Sequence, residues 1–387
     1  EFMNKNNMVS RYKFVSFQVL VSCLILPCVL CGDLSAQEFK TLKPGVEYAE
    51  VRRDISGLAV NFDLLRLDLK KVRIDLHHAG RTVIGTDTTS AMAIQNKAIA
   101  AINAGFFRLD KTPFAGDPVG MFMVDGVWLS EPTNDRIQLL INNKPTRTEI
   151  EIGRTKITQT INIGGEKFEI TGLNRERKKD DLIIYTPEFG QTTQTASDGI
   201  ELVVIKGVVA ALSSGLGNAV IPQNGLVISA SGTFRESLSK IAKESATVTM
   251  TRKWEGLPAA FEKDRAKLDV VTGVPLLIKN GNINITWEQE KTNKAFVETR
   301  HPRTAVAKLK GGKFLMLVAD GRTENSGGIG LEDLAKYLLE LGATDAMNLD
   351  GGGSTTMFVD GKVVNHPSDK EGERKVSDAL VVTLRKK

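Results

Sequence analysis

The chain has 387 residues, with 51 Lys and Arg against 46 Asp and Glu and a formal net charge of +5. Its 41% hydrophobic and 25% charged residues are an ordinary globular composition, which excludes a multispanning membrane protein, a disordered chain, a collagen and a coiled coil. The length fits one large domain or two fused ones, and so small and dispersed a charge excludes a nucleic-acid partner.

Residues 1–36 read as an export signal behind a cloning remnant, Glu1-Phe2 ahead of Met3. Lys5, Arg11 and Lys13 precede an apolar run from Phe14 to Leu30, and Leu34-Ser35-Ala36 closes it. A membrane anchor fits less well, because Pro27 interrupts a run already short for spanning. Lipidation of Cys23, within Leu20-Val21-Ser22-Cys23, is the alternative to cleavage near Ala36. Either way the expectation is export to a bacterial periplasm, cell surface or medium, with no membrane span in the mature chain. Cys23, Cys28 and Cys31 all leave with the leader, so the mature chain has no disulfide, thiol nucleophile or Cys-ligated metal.

The remainder, 37–387, is expected to be one α+β domain: a mixed, twisted sheet core rich in hairpins, a few covering helices and one C-terminal βαβ unit. Residues 46–76 alternate as two strands, Val60, Phe62 and Leu64 on one and Leu65, Leu67 and Leu69 on the next. Thr88–Asn96 reads as a short helix. Asp125-Gly126 is a two-residue hairpin turn between Val124 and Val127, and Asn280-Gly281, Gly311-Gly312 and Asp360-Gly361 repeat the signal. The Arg175–Lys179 cluster, followed by Asp180-Asp181, reads as a solvated loop. Phe234–Glu244 and Pro258–Leu268 are further short helices. Residues 150–295 are β-rich and carry no evident chemistry, as an inserted subdomain would or as filling for the sheets. The clearest helix is Leu331–Leu341, with Leu331, Leu334, Ala335 and Leu338 on one stripe, Glu332 and Asp333 in its first turn and Gly342 at its stop.

Three segments carry candidate chemistry: Asn103-Ala104-Gly105-Phe106-Phe107; His301-Pro302-Arg303-Thr304; and Asp320-Gly321-Arg322 together with Asn348-Leu349-Asp350-Gly351-Gly352-Gly353-Ser354. A two-residue turn at Gly311-Gly312 would set Arg303 opposite Asp320 on one face. A crossover through the 331–341 helix would make the strands before Asp320 and Asp350 parallel, with both carboxylates at their carboxyl ends, where open α/β sheets bind ligands. Two carboxylates can divide the work of acid and of base or nucleophile. Arg303 and Arg322 offer forks matched to phosphate. Gly351, Gly352 and Gly353 let backbone N–H groups approach an anion, and Asn103 could offer its amide to a sugar hydroxyl. Each has a plainer reading as well: a turn, a cross-strand ion pair, a loop. Of the histidines, His77 and His78 are adjacent and cannot share a metal on a strand, His301 sits beside the site, and a triad of Ser354 with His366 and an Asp lacks a nucleophile elbow.

These segments resemble the phosphodiester glycosidase family, whose pattern joins an Asn-Gly-Gly-Phe-Phe-like segment, a Pro-Arg-Thr-Ala-like strand, Asp-Gly-Arg and Asn-Leu-Asp-Gly-Gly-Gly-Ser, and closes with Asp-Ala-Leu, here Asp378-Ala379-Leu380. Ala104 stands where the family has Gly. The resemblance is strong over 88–125 and 300–382 and weak between. It implies Asp350 and Asp320 as catalytic carboxylates, with Asn103, Gly105, Arg303, Thr304, Arg322, Asn348, Gly351, Gly352, Gly353 and Ser354 lining the substrate site. The implied activity is hydrolysis of a carbohydrate phosphodiester, an N-acetylglucosamine-like sugar 1-phosphodiester, at the anomeric carbon. A non-catalytic glycan-binding or exopolysaccharide-assembly protein and a conventional glycosidase are the alternatives. No cofactor is required by this chemistry; the metal requirement stays open, with a divalent cation such as Ca²⁺ compatible.

Overall fold

Period-two alternation in Lys313–Ala319 puts Phe314, Met316 and Val318 on one face of a sheet and Leu315, Leu317 and Ala319 on the other, all fully buried. A strand apolar on both faces must be covered on both. The computed structural model, which describes residues 38–80 and 82–386, supplies both covers. The export-signal expectation lies outside the described residues.

The central sheet has eight strands in the order Lys40–Lys43, Val46–Ile55, Leu58–Asp68, Lys313–Ala319, Arg303–Leu309, Ala343–Asn348, Leu276–Lys279 and Asn282–Ile283. Leu315, Leu317 and Ala319 meet helix Leu331–Glu340, which presents Leu331, Leu334, Ala335 and Leu338 to them. Phe314, Met316 and Val318 join a larger core with two five-stranded sheets. One of these contains Ala100–Asn103 paired with Asp378–Leu384 and Met357–Val359. The protein is thus mostly β with few helices.

Local signals carried most elements. Asp125-Gly126, Asn280-Gly281 and Asp360-Gly361 each make two-residue turns with both residues at positive φ. Thr88 caps helix Thr89–Gln95 by accepting from the Ala91 amide at 3.2 Å. The 46–76 stretch makes three strands rather than two, since Val60 through Leu67 lie in one strand, Leu58–Asp68, buried on both faces. Around 258–268 only Ala259–Glu262 is α-helical, followed by a 3₁₀ turn over Arg265–Lys267.

Two expectations about the C-terminal part are corrected. Lys308 pairs with Phe314, so Lys310, Gly311 and Gly312 together form the turn and Arg303 lies opposite Ala319, not Asp320. Gly311 and Gly312 both have positive φ, and the Lys310 amide leaves the hairpin to donate to Gly342 O at 2.9 Å. A slip of one residue reverses the face of everything beyond it. The crossover strands Lys313–Ala319 and Ala343–Asn348 run in the same direction but are not neighbours, because Arg303–Leu309 lies between them antiparallel to both. The βαβ unit is therefore split.

The 150–295 stretch does not close on itself. Its three-stranded sheet and one five-stranded sheet share a core that also takes in Met121, Met123, Trp128 and Leu140 from outside the stretch, and Leu268–Thr272 and Leu276–Lys279 pair into sheets built mainly from the rest of the chain. Arg175–Lys179 is solvated only in part: Lys178 and Lys179 are exposed, as expected of a solvated loop, but the two arginines are not free. Arg175 pairs with Asp181 and Glu131, and the Arg177 side chain is 2% exposed and pairs with Asp198. Opposite charges within reach draw the two arginines in while the lysines stay in solvent.

Helix Leu331–Glu340 is the cover of one sheet face, so Leu334→Ala should destabilise the fold by roughly 2–5 kcal/mol. A urea titration should show a lower midpoint with an unchanged slope.

Candidate active site

Strand Ala343–Asn348 ends against strand Arg303–Leu309, and the chain then turns through Leu349–Ser354 under backbone control. The Leu349 amide donates to Thr304 O, Asp350 N to Ala104 O and Gly352 N to Pro302 O, each at 2.9 Å. This pins Asp350 at the mouth of a pocket of about 330 Å³ lined by Phe296, His301, Arg303, Arg322, Gly351, Gly352, Gly353 and Arg374. Asp350 is part-exposed there. Burial pushes its carboxyl up to about 7, against the pull of the Ser354 hydroxyl, the Gly351 amide and Arg374, while the charge of Asp378 adds to the rise.

The three arginines differ in freedom. Arg303 is 1% exposed. Its Nε donates to Ile329 O at 3.2 Å and its Nη2 to Phe296 O and Thr299 O at 2.7 and 2.9 Å. Burial and the neighbouring Arg322 lower it to about 10. Arg374 makes a fork on Asp369 at 2.7 and 3.0 Å. Arg322 is exposed and takes φ 60°, a backbone region that favours glycine. Its Nη2 donates to His301 Nδ1 at 3.1 Å, a bond that needs a neutral imidazole. Burial, Arg303 and Arg322 all push the His301 pKa down, in keeping with that state.

Other expected site residues are placed beneath the pocket. Asn103 is fully buried: its Nδ2 donates to Asp350 O at 2.7 Å, and its Oδ1 accepts from the Thr304 hydroxyl at 2.8 Å and the Thr356 amide at 3.2 Å. The bonds its amide makes are thus all within the protein. Thr304 is buried on that bond. Asn348 donates to Val274 O and Leu349 O, both at 2.7 Å. The Gly105 amide donates to Asp378 Oδ1 at 2.6 Å. Asp378 is itself fully buried and its pKa is raised by burial. Ser354 is buried and its hydroxyl faces Asp350. The glycine amides are less available than expected, since Gly351 N donates to Asp350 Oδ1 at 3.0 Å and Gly352 N to Pro302 O.

Asp320 is not among the residues lining this pocket. It is 2% exposed, and it accepts from Asn365 Nδ2 at 3.2 Å, the His366 amide at 3.0 Å and His366 Nδ1 at 3.2 Å. Burial raises its pKa against those bonds. The face reversal at the Gly311-Gly312 turn accounts for its separation from Arg303. His366 is thus engaged with Asp320 and Asp369 with Arg374, so no triad forms with Ser354. Phe296 and Arg374 were missed, because both lie in loops or short elements outside the motif segments. A sign of Arg374 was available in its spacing of five from Asp369. Among the described residues no group of three or more His, Cys, Asp or Glu is placed to hold a metal ion.

A family model described as "Phosphodiester glycosidase" matches residues 198–383. The resemblance to that family is real. The match takes in the 198–300 stretch, where the motifs are weak, and leaves out 88–125, where they looked strong. The mouse N-acetylglucosamine-1-phosphodiester alpha-N-acetylglucosaminidase is 32% identical over 163 residues, covering 40% of this chain and 30% of the mouse protein. The chain therefore spans less than a third of that relative's length. A hypothetical protein from Synechocystis shares the fold, with TM-score 0.76 and 23% identity over 91% of this chain and 64% of its own. A Burkholderia pseudomallei K96243 protein named as exported gives TM-score 0.74 and 26% identity over 84% of this chain and 74% of its own.

Among the residues shared with the phosphodiester glycosidase pattern, Asp350 has a titration readable in stability. Its carboxyl is raised from the usual range to about 7 in the folded state, so the folded chain holds a proton that the unfolded chain releases near pH 4. The stabilisation is complete below pH 4 and lost as pH rises through 7. Asp350→Asn removes this dependence. Thermal melts should place the variant higher relative to the parent at pH 8 than at pH 5.

Proposed function

We propose that the chain is an exported hydrolase that cleaves a sugar 1-phosphodiester at the anomeric carbon, releasing the free sugar and a phosphate monoester. The observation that carries this reading is a pocket whose described lining holds one carboxylate, Asp350, among three guanidinium groups. A conventional glycosidase needs a second carboxyl to protonate its leaving group. Here Asp320 is engaged elsewhere and Asp378 is sealed under Gly105. A phosphodiester needs no such acid, because its leaving group is already stable as an anion.

Arg322, exposed and held to His301 by one nitrogen, is the group we assign to the departing phosphate, and Arg303 and Arg374 supply fixed positive charge around it. Asp350 either attacks the anomeric carbon or takes the proton of the attacking water. In both cases the glycosidic C–O bond breaks and its electrons leave on the phosphate oxygen; where Asp350 attacks, water then cleaves the glycosyl–Asp350 bond at the anomeric carbon, freeing the sugar and restoring the carboxylate. Neither route passes through a metal ion. An N-acetylglucosamine-like sugar is the expected substrate, as in the enzyme named for the mouse relative. Export is supported by the leader pattern and by the name of the Burkholderia neighbour. Among the described residues no helix is long and apolar enough to cross a membrane.

Hydrolysis of UDP-N-acetylglucosamine or a simpler sugar 1-phosphodiester in ¹⁸O-water should place the label on the sugar. Label in the phosphate monoester would refute attack at carbon. Asp350→Asn should lower kcat by about 10²-fold or more while the chain still folds. Arg322→Lys should raise KM for the phosphodiester, since an ammonium cannot reproduce the fork, and should change a neutral nitrophenyl glycoside far less. Equal losses on both substrates would make Arg322 structural.

A further inference from the structure

The peptide group between Ala104 and Gly105 is held from both sides. On one side the Asp350 amide donates to its carbonyl oxygen at 2.9 Å. On the other its N–H donates to Asp378 Oδ1 at 2.6 Å. Two carboxyl residues are therefore joined through a single peptide bond, one lining the pocket and the other fully buried. Asp378 grips the segment a second time, because its own carbonyl accepts from the Ala104 amide at 3.3 Å. The approach is close. A side-chain carbon on Gly105 would stand 3.0 and 3.1 Å from the two carboxyl oxygens of Asp378 and 3.0 Å from Val271.

Both oxygens of Asp378 meet donors, Oδ1 the Gly105 amide and Oδ2 the Ser377 hydroxyl, which suits a carboxylate that can only accept. His78 lies opposite it on the neighbouring strand, but the His78 ring meets Thr82 O through Nε2 at 2.6 Å and makes no hydrogen bond to Asp378. The charged groups about Asp350 are Arg303, Arg322 and Arg374 in the pocket and Asp378 across the shared peptide. Repulsion between like charges is far stronger in a sealed interior than in water. Burial raises both carboxyls, and the charge of Asp378 raises Asp350 further.

We propose that Asp378 is a positioning residue for Asp350: through the Ala104–Gly105 peptide it fixes the Asp350 backbone, and its buried charge keeps the Asp350 carboxyl in the acid form in the resting pocket. The shorter bond, 2.6 Å on Asp378 against 3.0 Å from the Gly351 amide to Asp350, makes Asp378 the ionised member of the pair. Its negative charge also polarises the shared peptide, so that Ala104 O becomes a stronger acceptor for the Asp350 amide. The consequence for catalysis rests on the hydrolase reading. An acid can neither attack carbon nor take a proton from water, so turnover begins only where Asp350 ionises.

Carboxyl ¹³C NMR of the chain labelled at aspartate follows both groups directly, with Asp350→Asn and Asp378→Asn assigning the two signals. The amide in Asp378→Asn can accept from Gly105 and donate to Ser377, so the geometry stays and the charge goes. In that variant the Asp350 midpoint should fall from about 7 by about one pH unit or more. If circular dichroism shows that it does not fold, Ser377→Ala decides: loss of a donor moves the proton towards Asp378, and the Asp350 midpoint should fall while that of Asp378 rises. An Asp350 midpoint that stays or rises in the folded variant overturns the proposal, since a merely structural Asp378 would leave it in place. The acid limb of kcat for the sugar 1-phosphodiester should move with the midpoint. A lowered midpoint in a chain without turnover upholds this proposal and removes the hydrolase reading, and turnover with an unmoved midpoint does the reverse.

Discussion

One buried amide joins the parts on which the site depends. Asn103 ends a strand of a five-stranded sheet, Thr304 lies near the start of a strand of the eight-stranded sheet, and Asp350 and Thr356 follow a third strand; the Asn103 side chain bonds to Thr304, Asp350 and Thr356 at once. Its donor and acceptor are matched to a carbonyl, a hydroxyl and an amide. Removing it would leave the Asp350 carbonyl and the Thr356 amide unpaired in a dry interior, where each costs about 1–3 kcal/mol, and would leave the Thr304 hydroxyl only its longer contact with Thr355. The position of Asp350 is therefore set by the meeting of two sheets, and not by its own turn.

The same geometry explains how much could be read beforehand. Hairpins at Asp125-Gly126, Asn280-Gly281 and Asp360-Gly361 are short-range, because the turn needs positive φ and the residues supply it. The helix near 331–340 declares itself by its stripe and its stop. Asp350 and the glycine run were legible as a candidate site because consecutive residues carry them, and the structure sets them with Arg322 around one pocket. What was hidden depends on one residue of register. Gly311-Gly312 looks like a two-residue turn, but Lys310 joins it by bonding to Gly342, and that choice lies in tertiary contacts. The consequence is large: Asp320 leaves the pocket and Arg303 turns its nitrogens to backbone carbonyls.

Hidden too were groups whose meaning comes only from pairing. Arg374 looks like any surface cation until Asp369 and Gly353 are beside it. Arg175 and Arg177 look solvated until Glu131, Asp181 and Asp198 fold against them. Much of the charge among the described residues is arranged in local balances, and the Asp350 pocket is a place where positive charge is left in excess.

The glycine run after Asp350 has a consequence beyond flexibility. A side-chain carbon on Gly352 would come within 3.2 Å of the Arg322 guanidinium, and one on Gly353 would collide with Arg374 and Asp369. Even alanine at these positions would reach the cations before it reached any ligand. The run is a mould for the arginines: its bareness fixes where the cationic wall stands, so a methyl group added there would act as an electrostatic change delivered by steric means.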